Sequence, residues 1–389
     1  NTAAGTVNIT VQPKTAAQLG LNKAETAAFP AIYASLGQDT GIQSILVNAS
    51  NQAGFRAPYQ MLLPNSSGDV FQVVTSMSKA VARASIGAAG FGGAGGAVGT
   101  TEDADNEEDY CGSQGGLWAS EYLIGLNQKR ADNEAYRAVG LGLVGGVDFD
   151  GFGADISFAS ANVSKPSDPG DSIVSINRLE AGLYAVPQFG ILHTEARVAA
   201  GFLKVSQRRQ FAATPTGGTA ISRTANGSWT GYDFSGRLGA SAPFDVSNHF
   251  FLMPEAHLDV FSVNEGSYAE SGGGNGFDFK VKARNSTQTS VTAGVVAGAH
   301  YGSTFVFRPQ IEVGWDQVIT GGPGATTAQF AYGGPNFTVP ANSAAGGAGV
   351  VRMQLKGDGE WVHFAVEAGG EFRSDYQNAD VRAVFRISY

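Results

Sequence analysis

Period-two alternation of apolar and polar residues runs through most of this chain. From Leu117 to Tyr389 it recurs about twelve times, and turn residues interrupt it each time. In the segment TFVFRPQIEVGWDQ, alternate residues from Phe305 to Trp315 are almost all apolar, whereas Glu312 and Asp316 fall on the opposite face. The pattern therefore predicts an antiparallel β structure, either a membrane barrel or a soluble sandwich.

Connection length separates these two possibilities. Short connections such as DFDGFG, AVPQFG, APFDVSNH, HYGST and KGDGE are each followed, one strand later, by a longer segment. The longer segments are KPSDPGD and residues 212–227, 265–276 and 318–346. Outer-membrane barrels alternate short periplasmic turns with long extracellular loops in this way. An even number of strands puts the first and the last residue of the barrel on the periplasmic side.

We therefore predict an all-β membrane protein with a twelve-stranded, antiparallel, up-and-down transmembrane β-barrel. It is expected in a Gram-negative outer membrane, with its long loops extracellular and its C-terminus periplasmic. The mean hydropathy is close to zero and no run of 18 apolar residues occurs. Both properties agree with a barrel, because a barrel strand shows only every second residue to lipid.

Composition excludes several other classes. The net charge of −9, without a basic stripe, argues against a nucleic-acid partner. Cys111 is the single cysteine, which rules out an internal disulfide, and we expect it to be an inert thiol in a linker. The sequence opens at Asn1 without a methionine, a basic n-region or an apolar h-region, so we expect any export signal to lie upstream.

The region before the barrel has a different sequence pattern. Residues 1–68 carry mostly helix-period patterns, and residues 69–85 are predicted to be a helix whose start is capped by Ser66, Ser67 or Asp69. Residues 86–116 form a glycine-rich and then acidic linker, and the barrel occupies residues 117–389.

The helix of residues 69–85 is predicted to lie inside the barrel lumen. Its cations Lys79 and Arg83 are one helical turn apart, and the inward rows of several strands carry an excess of carboxylates. The candidate lumenal acids are Asp233, Glu255, Asp259, Glu312, Glu367 and Glu371. A second set of helix residues is apolar, namely Val70, Phe71, Val74 and Met77. A polar lumen is expected to give these four little to bury against.

The last predicted strand, ADVRAVFRISY, has one uninterrupted apolar face. Phe385, Ile387 and the final Tyr389 lie on that face, whereas Arg382 and Arg386 lie on the other. An apolar face that ends on an aromatic residue is typical of outer-membrane barrels.

These features together resemble the autotransporters, the type V secretion family. LGLNKAETAAFPAIYASL, LVNASNQAGFRAPYQMLLP and SGDVFQVVTSMSKAVARA are similar to that family's linking region and pore helix. AVGLGLVGGVDF, the SYAESGG that follows PEAHLDVF, and the aromatic-terminated last strand are similar to its barrel patterns. The resemblance covers nearly the whole chain.

The resemblance implies a translocator that exports and anchors an upstream passenger, of which residues 1–68 are the end and linking region. It implies that Phe385, Ile387 and Tyr389 are the assembly signal read by the barrel-assembly machinery. Further partners would be outer-membrane lipid, lipopolysaccharide and periplasmic chaperones, and we expect a monomer. Members that cleave themselves in the pore often do so at paired asparagines, which this sequence lacks.

Two other functions stay open at this point. A porin or channel would need an open lumen, which the predicted helix opposes. An outer-membrane hydrolase could use Glu255, His257 and Asp259, which project from one strand face. No nucleophilic serine joins them in sequence, and the histidines form no HExxH or metal-spaced cluster. We therefore expect no catalytic residue, no metal and no cofactor.

Overall fold

The computed structural model describes residues 14–90, 115–166, 171–215, 218–343 and 346–389. Cys111 and most of the predicted linker lie outside the described residues. The helices are α1 (Lys23–Ser35), α2 (Thr40–Val47), α3 (Gln52–Gln60) and α4 (Asp69–Ala89). None of these described helices has both the length and the hydropathy needed to cross a bilayer.

Twelve long strands follow in the described part of the chain. They are β1 (Gly116–Gln128), β2 (Tyr136–Phe149), β3 (Phe152–Ser164), β4 (Ile173–Ala185), β5 (Leu192–Ala213), β6 (Ile221–Ser241), β7 (Phe250–Glu265), β8 (Arg284–Ala299), β9 (Val306–Gly322), β10 (Gly346–Asp358), β11 (Val362–Phe372) and β12 (Tyr376–Ser388). Each pairs antiparallel with the next one along the chain. β12 pairs with β1, from Gly116 opposite Ser388 to Gln128 opposite Tyr376, and this closes the barrel. The predicted twelve-stranded up-and-down barrel is confirmed.

The two ends of the barrel differ in their connections. We call the end that holds residues 129–135, 266–283 and 323–343 the loop end, and the opposite end, where β1 begins and β12 finishes, the turn end. β2 and β3 are joined at the turn end by Asp150 and Gly151 alone, both with positive φ. A two-residue hairpin turn of this kind favours a short side chain such as Asp, or Gly.

The predicted long loops are more ordered than expected. Residues 212–213 and 221–227 are strand, because β5 and β6 stay paired out to Ala213 opposite Ile221. Residues 318–346 contain the end of β9 and a hairpin of Thr326–Phe330 with Gly333–Val339. That hairpin joins Tyr268–Ala269 and Phe279–Val281 in a four-stranded sheet, the loop sheet. The predicted boundaries were wrong because strand pairing extends into segments whose composition is typical of loops.

A hydrophobic core, separate from the barrel lumen, covers the loop end. Ile32 of α1, Leu46 of α2 and Tyr59 of α3 are buried in one cluster with Phe279 and Phe337 of the loop sheet. The Tyr59 hydroxyl donates a hydrogen bond of 2.8 Å to a backbone carbonyl in α1. Burial raises the pKa of Tyr59, and a nearby carboxylate adds to the effect. Helices α1 to α3 therefore form a cap that packs on the loops.

The barrel wall alternates strictly between its two faces. In β12, residues from Gln377 to Ile387 at odd numbers are exposed, and those at even numbers are buried. Val381, Phe385 and Ile387 lie on the outer face, whereas Arg382 and Arg386 point into the lumen. The outer face is therefore the one that suits lipid.

Candidate functional site: the lumen and its helix

Helix α4 passes through the barrel from the loop end to the turn end. At its start, the carbonyl of Asn65 accepts 3.0 Å and 3.2 Å hydrogen bonds from Arg284 Nη1 and Thr326 Oγ1, which lie at the loop end. Near its finish, Ser85 Oγ donates to Asp155 Oδ2 in β3 at 2.8 Å. The helix was predicted over residues 69–85, and in the structure it continues to Ala89.

The helix start differs from the predicted serine cap. The N-cap residue is Gly68, with φ of 84°, which has no side chain to cap the helix, and Asp69 Oδ1 accepts a 2.7 Å hydrogen bond from the backbone N–H of Val70 in the first turn. A Cβ at Gly68 would lie 2.6 Å from Pro323, so glycine fits this position for both conformation and space. Asp69 is buried in the first turn, where its carboxylate interacts favourably with the positive end of the helix dipole.

Connections at the loop end hold the turn before α4. Asn133, between β1 and β2, donates from Nδ2 to the carbonyls of Ser66 at 2.9 Å and Pro340 at 2.7 Å. The backbone N–H of Asn342 donates to the carbonyl of Ser67 at 3.2 Å. The backbone carbonyls of Ser66 and Ser67 therefore fix the entry of the chain into the lumen, and the Ser66 hydroxyl accepts from Asn133 Nδ2 at 2.9 Å instead of capping the helix.

Lys79 lies between two carboxylates of the barrel wall. Its Nζ is 2.7 Å from Glu371 Oε1 in β11 and 3.2 Å from Asp316 Oδ2 in β9. Asp316 also accepts from Thr292 Oγ1 at 2.9 Å. Asp316 was not among the predicted acids for the helix, although the alternation of its strand already placed it on the inward face.

Arg83 contacts a different acid. Its Nη1 is 3.1 Å from Glu312 Oε2 in β9, and Arg352 of β10 lies 3.8 Å from the same carboxylate oxygen. Both cations of α4 are therefore paired with the sector formed by β9 to β11. Charges this well buried are held only where partners of opposite sign surround them.

The remaining predicted acids lie in the lumen but pair with the barrel wall. Asp259 binds Arg237 in a bidentate pair of 2.7 Å and 2.9 Å. Glu367 accepts from Arg382 at 2.7 Å and lies 3.4 Å from Arg352. These pairs cross-link neighbouring strands, so the excess of acids seen in the sequence is neutralised largely by wall arginines.

Asp233 reaches the helix through an arginine. It pairs with Arg178 at 2.5 Å, and Arg178 Nη2 donates to Ser78 Oγ of α4 at 2.7 Å. Arg178 is also paired with Glu180, which lies 2.6 Å from Arg197. The sequence-based prediction missed this network because it considered only the charged residues of the helix. The helix residue in the network is Ser78, which is uncharged.

The hydrolase candidate does not have the geometry of a catalytic dyad. His257 Nδ1 is 2.9 Å from Glu195 Oε1, and its Nε2 is 3.5 Å from Glu255 Oε1. Asp259 is engaged by Arg237 instead. Both imidazole nitrogens face carboxylates, so the candidate residues are engaged in ion pairs within the wall.

The other side of α4 is packed against an apolar part of the wall. The expectation that the apolar helix residues find little to bury against is wrong. Val70, Phe71, Val74 and Met77 are fully buried in a cluster with wall residues that include Trp118, Tyr122, Ile124, Tyr136, Ile176 and Leu203. The lumen thus contains apolar as well as charged regions, and the amphipathic helix contacts both.

Comparisons with known proteins bear on this architecture. The family model described as Autotransporter beta-domain matches residues 90–361, which is more than half of the chain. The chain belongs to the autotransporter family. Comparison with curated protein sequences gives no match.

Three solved translocator units are similar to this autotransporter β-domain. The translocator domain of NalP from Neisseria meningitidis is 13% identical with a TM-score of 0.57, and the match covers 83% of this chain and 99% of that one. The β-domain of the Bordetella autotransporter BrkA is 18% identical, with coverage of 71% and 99% and a TM-score of 0.48. The transport unit of AIDA-I from Escherichia coli is 12% identical, with coverage of 79% and 98% and a TM-score of 0.46.

Family membership makes the chain a secretion translocator unit of the outer membrane. Within the described ranges, no group of three or more His, Cys, Asp or Glu side chains is arranged to hold a metal ion. The described part of this autotransporter β-domain is a closed wall with a helix bound inside it.

Proposed function

We propose that this unit exports an upstream passenger through its lumen and then anchors it, with α4 as the last segment to remain inside. The direction of α4 carries this proposal. Its first residue, Asp69, lies at the loop end and its last, Ala89, lies toward the turn end. The described residues upstream of the helix, 14–68, are therefore on the loop side, where α1 to α3 form the cap.

This proposal takes the loop end as extracellular and the turn end as periplasmic. Apolar Phe385, Ile387 and Tyr389 would then act as the assembly signal read by the barrel-assembly machinery on the periplasmic side. Periplasmic chaperones would protect the exposed strands before insertion, since unpaired apolar strands aggregate readily. The closed sheet leaves the twelve strands no free edge, which agrees with a monomer.

A porin is the less favoured reading because the helix occupies the lumen. The void beside Ser78 and Ala82, between α4 and the wall, is about 10 Å³. A space of that size holds at most one water molecule. Salt bridges from Lys79 and Arg83 would have to break before ions could pass.

The test is a reporter protein fused upstream of Asn1 and produced in Gram-negative cells. We expect the reporter to be digested by protease added to intact cells, and the purified unit to conduct poorly in planar bilayers. Deleting residues 69–89 should raise the conductance because it removes the helix. A reporter that stays in the periplasm, or a conductance that the deletion leaves unchanged, would contradict the proposal.

A further inference from the structure

A groove at the loop end opens on the outer face of β4 to β6. Its volume is about 600 Å³, and its lining includes Ser175, Ser206, Arg208, Asn226, Ser228 and Ser271. Hydroxyl, amide and guanidinium groups dominate this lining. It is unlike the outer face nearer the turn end, which carries Leu183, Val198 and Leu238.

The groove sits just beyond a sharp boundary on the outer face. Phe158, Leu179, Phe202 and Tyr232 lie opposite one another across β3 to β6 and are all exposed. Aromatic residues in such a row are typical of the level where lipid tails meet headgroups. One outward position further toward the loop end, the paired residues are Ser160, Asn177, Lys204 and Thr230.

Two cationic side chains lie among these polar residues, and both are on β5. Lys204 and Arg208 are both exposed, and Ser206 lies between them on the same face of β5. Their spacing of four residues corresponds to about 13 Å along the strand. Arg208 Nη2 is 3.3 Å from Asp171 Oδ2, but both side chains are well exposed, so this pair is weak and can exchange for another anion.

Backbone hydrogen bonds and aromatic stacking hold the wall of the groove in place. Asn226 and Ser271 exchange two backbone hydrogen bonds of 2.9 Å, which extend the sheet beyond β6. Tyr268 stacks on Trp229 with ring centroids 4.2 Å apart. Glu270, the nearest acid in this segment, points inward and is paired with Arg209 at 2.5 Å, so it does not repel an anion in the groove.

We propose that this groove binds a phosphorylated saccharide headgroup, with Lys204 and Arg208 on its phosphates and the serine and asparagine side chains on its hydroxyls. The ligand would be the headgroup of an outer-leaflet glycolipid whose acyl chains lie against Phe202 and Tyr232. Arginine is well suited to phosphate because its planar guanidinium donates two parallel hydrogen bonds. This inference rests on the proposed orientation, which puts the loop end outside.

Binding of purified lipopolysaccharide to the whole chain in detergent tests the site. Three ligands are compared: intact lipopolysaccharide, the same material with its phosphates removed, and its deacylated but phosphorylated oligosaccharide. The variant is K204Q with R208Q, and the matched control is K129Q, because Lys129 is an exposed lysine between β1 and β2 and does not line the groove. We expect the double variant and the dephosphorylated ligand each to weaken binding about tenfold or more at low salt, since each cation near an anionic surface contributes measurably.

The control should bind as the unchanged protein does. Weaker competition by the deacylated oligosaccharide than by intact lipopolysaccharide would support the membrane glycolipid, whereas equal competition would show that the acyl chains add nothing and would overturn the glycolipid assignment. Equal binding by K204Q with R208Q, or no effect of removing phosphate, would overturn it. Surface display of the fused reporter is measured in the same variant, so that a failed site is distinguished from a failed translocator.

Discussion

Replacing Lys79 by methionine should release α4 from the charged side of the lumen. The lysine is about nine-tenths buried, and its ammonium is 2.7 Å from Glu371 and 3.2 Å from Asp316. Methionine keeps the length of the side chain but leaves Glu371 without this cation. Removing one partner of a buried ion pair costs about 3 to 5 kcal/mol. Since 1.4 kcal/mol is a factor of ten, the unplugged state should gain about 100-fold or more in population.

The assay is the fraction of time that single units spend in an open, conducting state in planar bilayers. The double variant K79M with E371Q should open less often than K79M alone, because the unpaired carboxylate is removed, giving a coupling free energy of about 1 kcal/mol or more. K23M is the matched control: Lys23 forms an exposed 3.7 Å pair with Asp132, worth about 0 to 1 kcal/mol. Unchanged opening in K79M, or strictly additive effects in the double variant, would refute the reasoning.

Three further outcomes are expected. Glu121 is exposed on the outer face of β1 among apolar neighbours, so E121L should raise the free energy of unfolding in urea by about 1 kcal/mol, and no gain would contradict a lipid-facing position. Charged residues in place of Phe385 and Tyr389 should prevent insertion without reducing synthesis, and normal heat-modifiable barrels would refute this. A membrane-impermeant maleimide should label S222C at the loop end but not D245C at the turn end in intact cells, and the reverse would invert the orientation.

The period-two pattern was sufficient to predict the strand faces. Alternation of β-strand side chains is a local property, so the inward position of Glu312 and the outward position of Phe385 followed from sequence parity alone. The predicted loops were less accurate. Residues 212–227 carry polar residues and Gly at the density of a loop, yet β5 and β6 pair there, because pairing between two polar strands depends on what each finds opposite it.

The helix start shows the same limit at short range. Serine caps are a sound local rule, but Gly68 takes the cap position because Pro323, far along the chain, leaves no room for a Cβ. Its neighbours Ser66 and Ser67 are held through their carbonyls by residues on two separate loops. No window of the sequence contains that information.

The sequence by itself determined the class of fold, the even strand number, the faces of the strands and the presence of an amphipathic helix with two cations. Tertiary structure alone decided the pairing inside the lumen. Lys79 meets Glu371 and Asp316, while Asp259 is taken by Arg237, because closure of the barrel fixes which inward positions stand at the same depth. The apolar side of the lumen has the same origin: Trp118, Tyr122 and Leu203 lie far apart in sequence, and only the curvature of the closed sheet brings them around one helix.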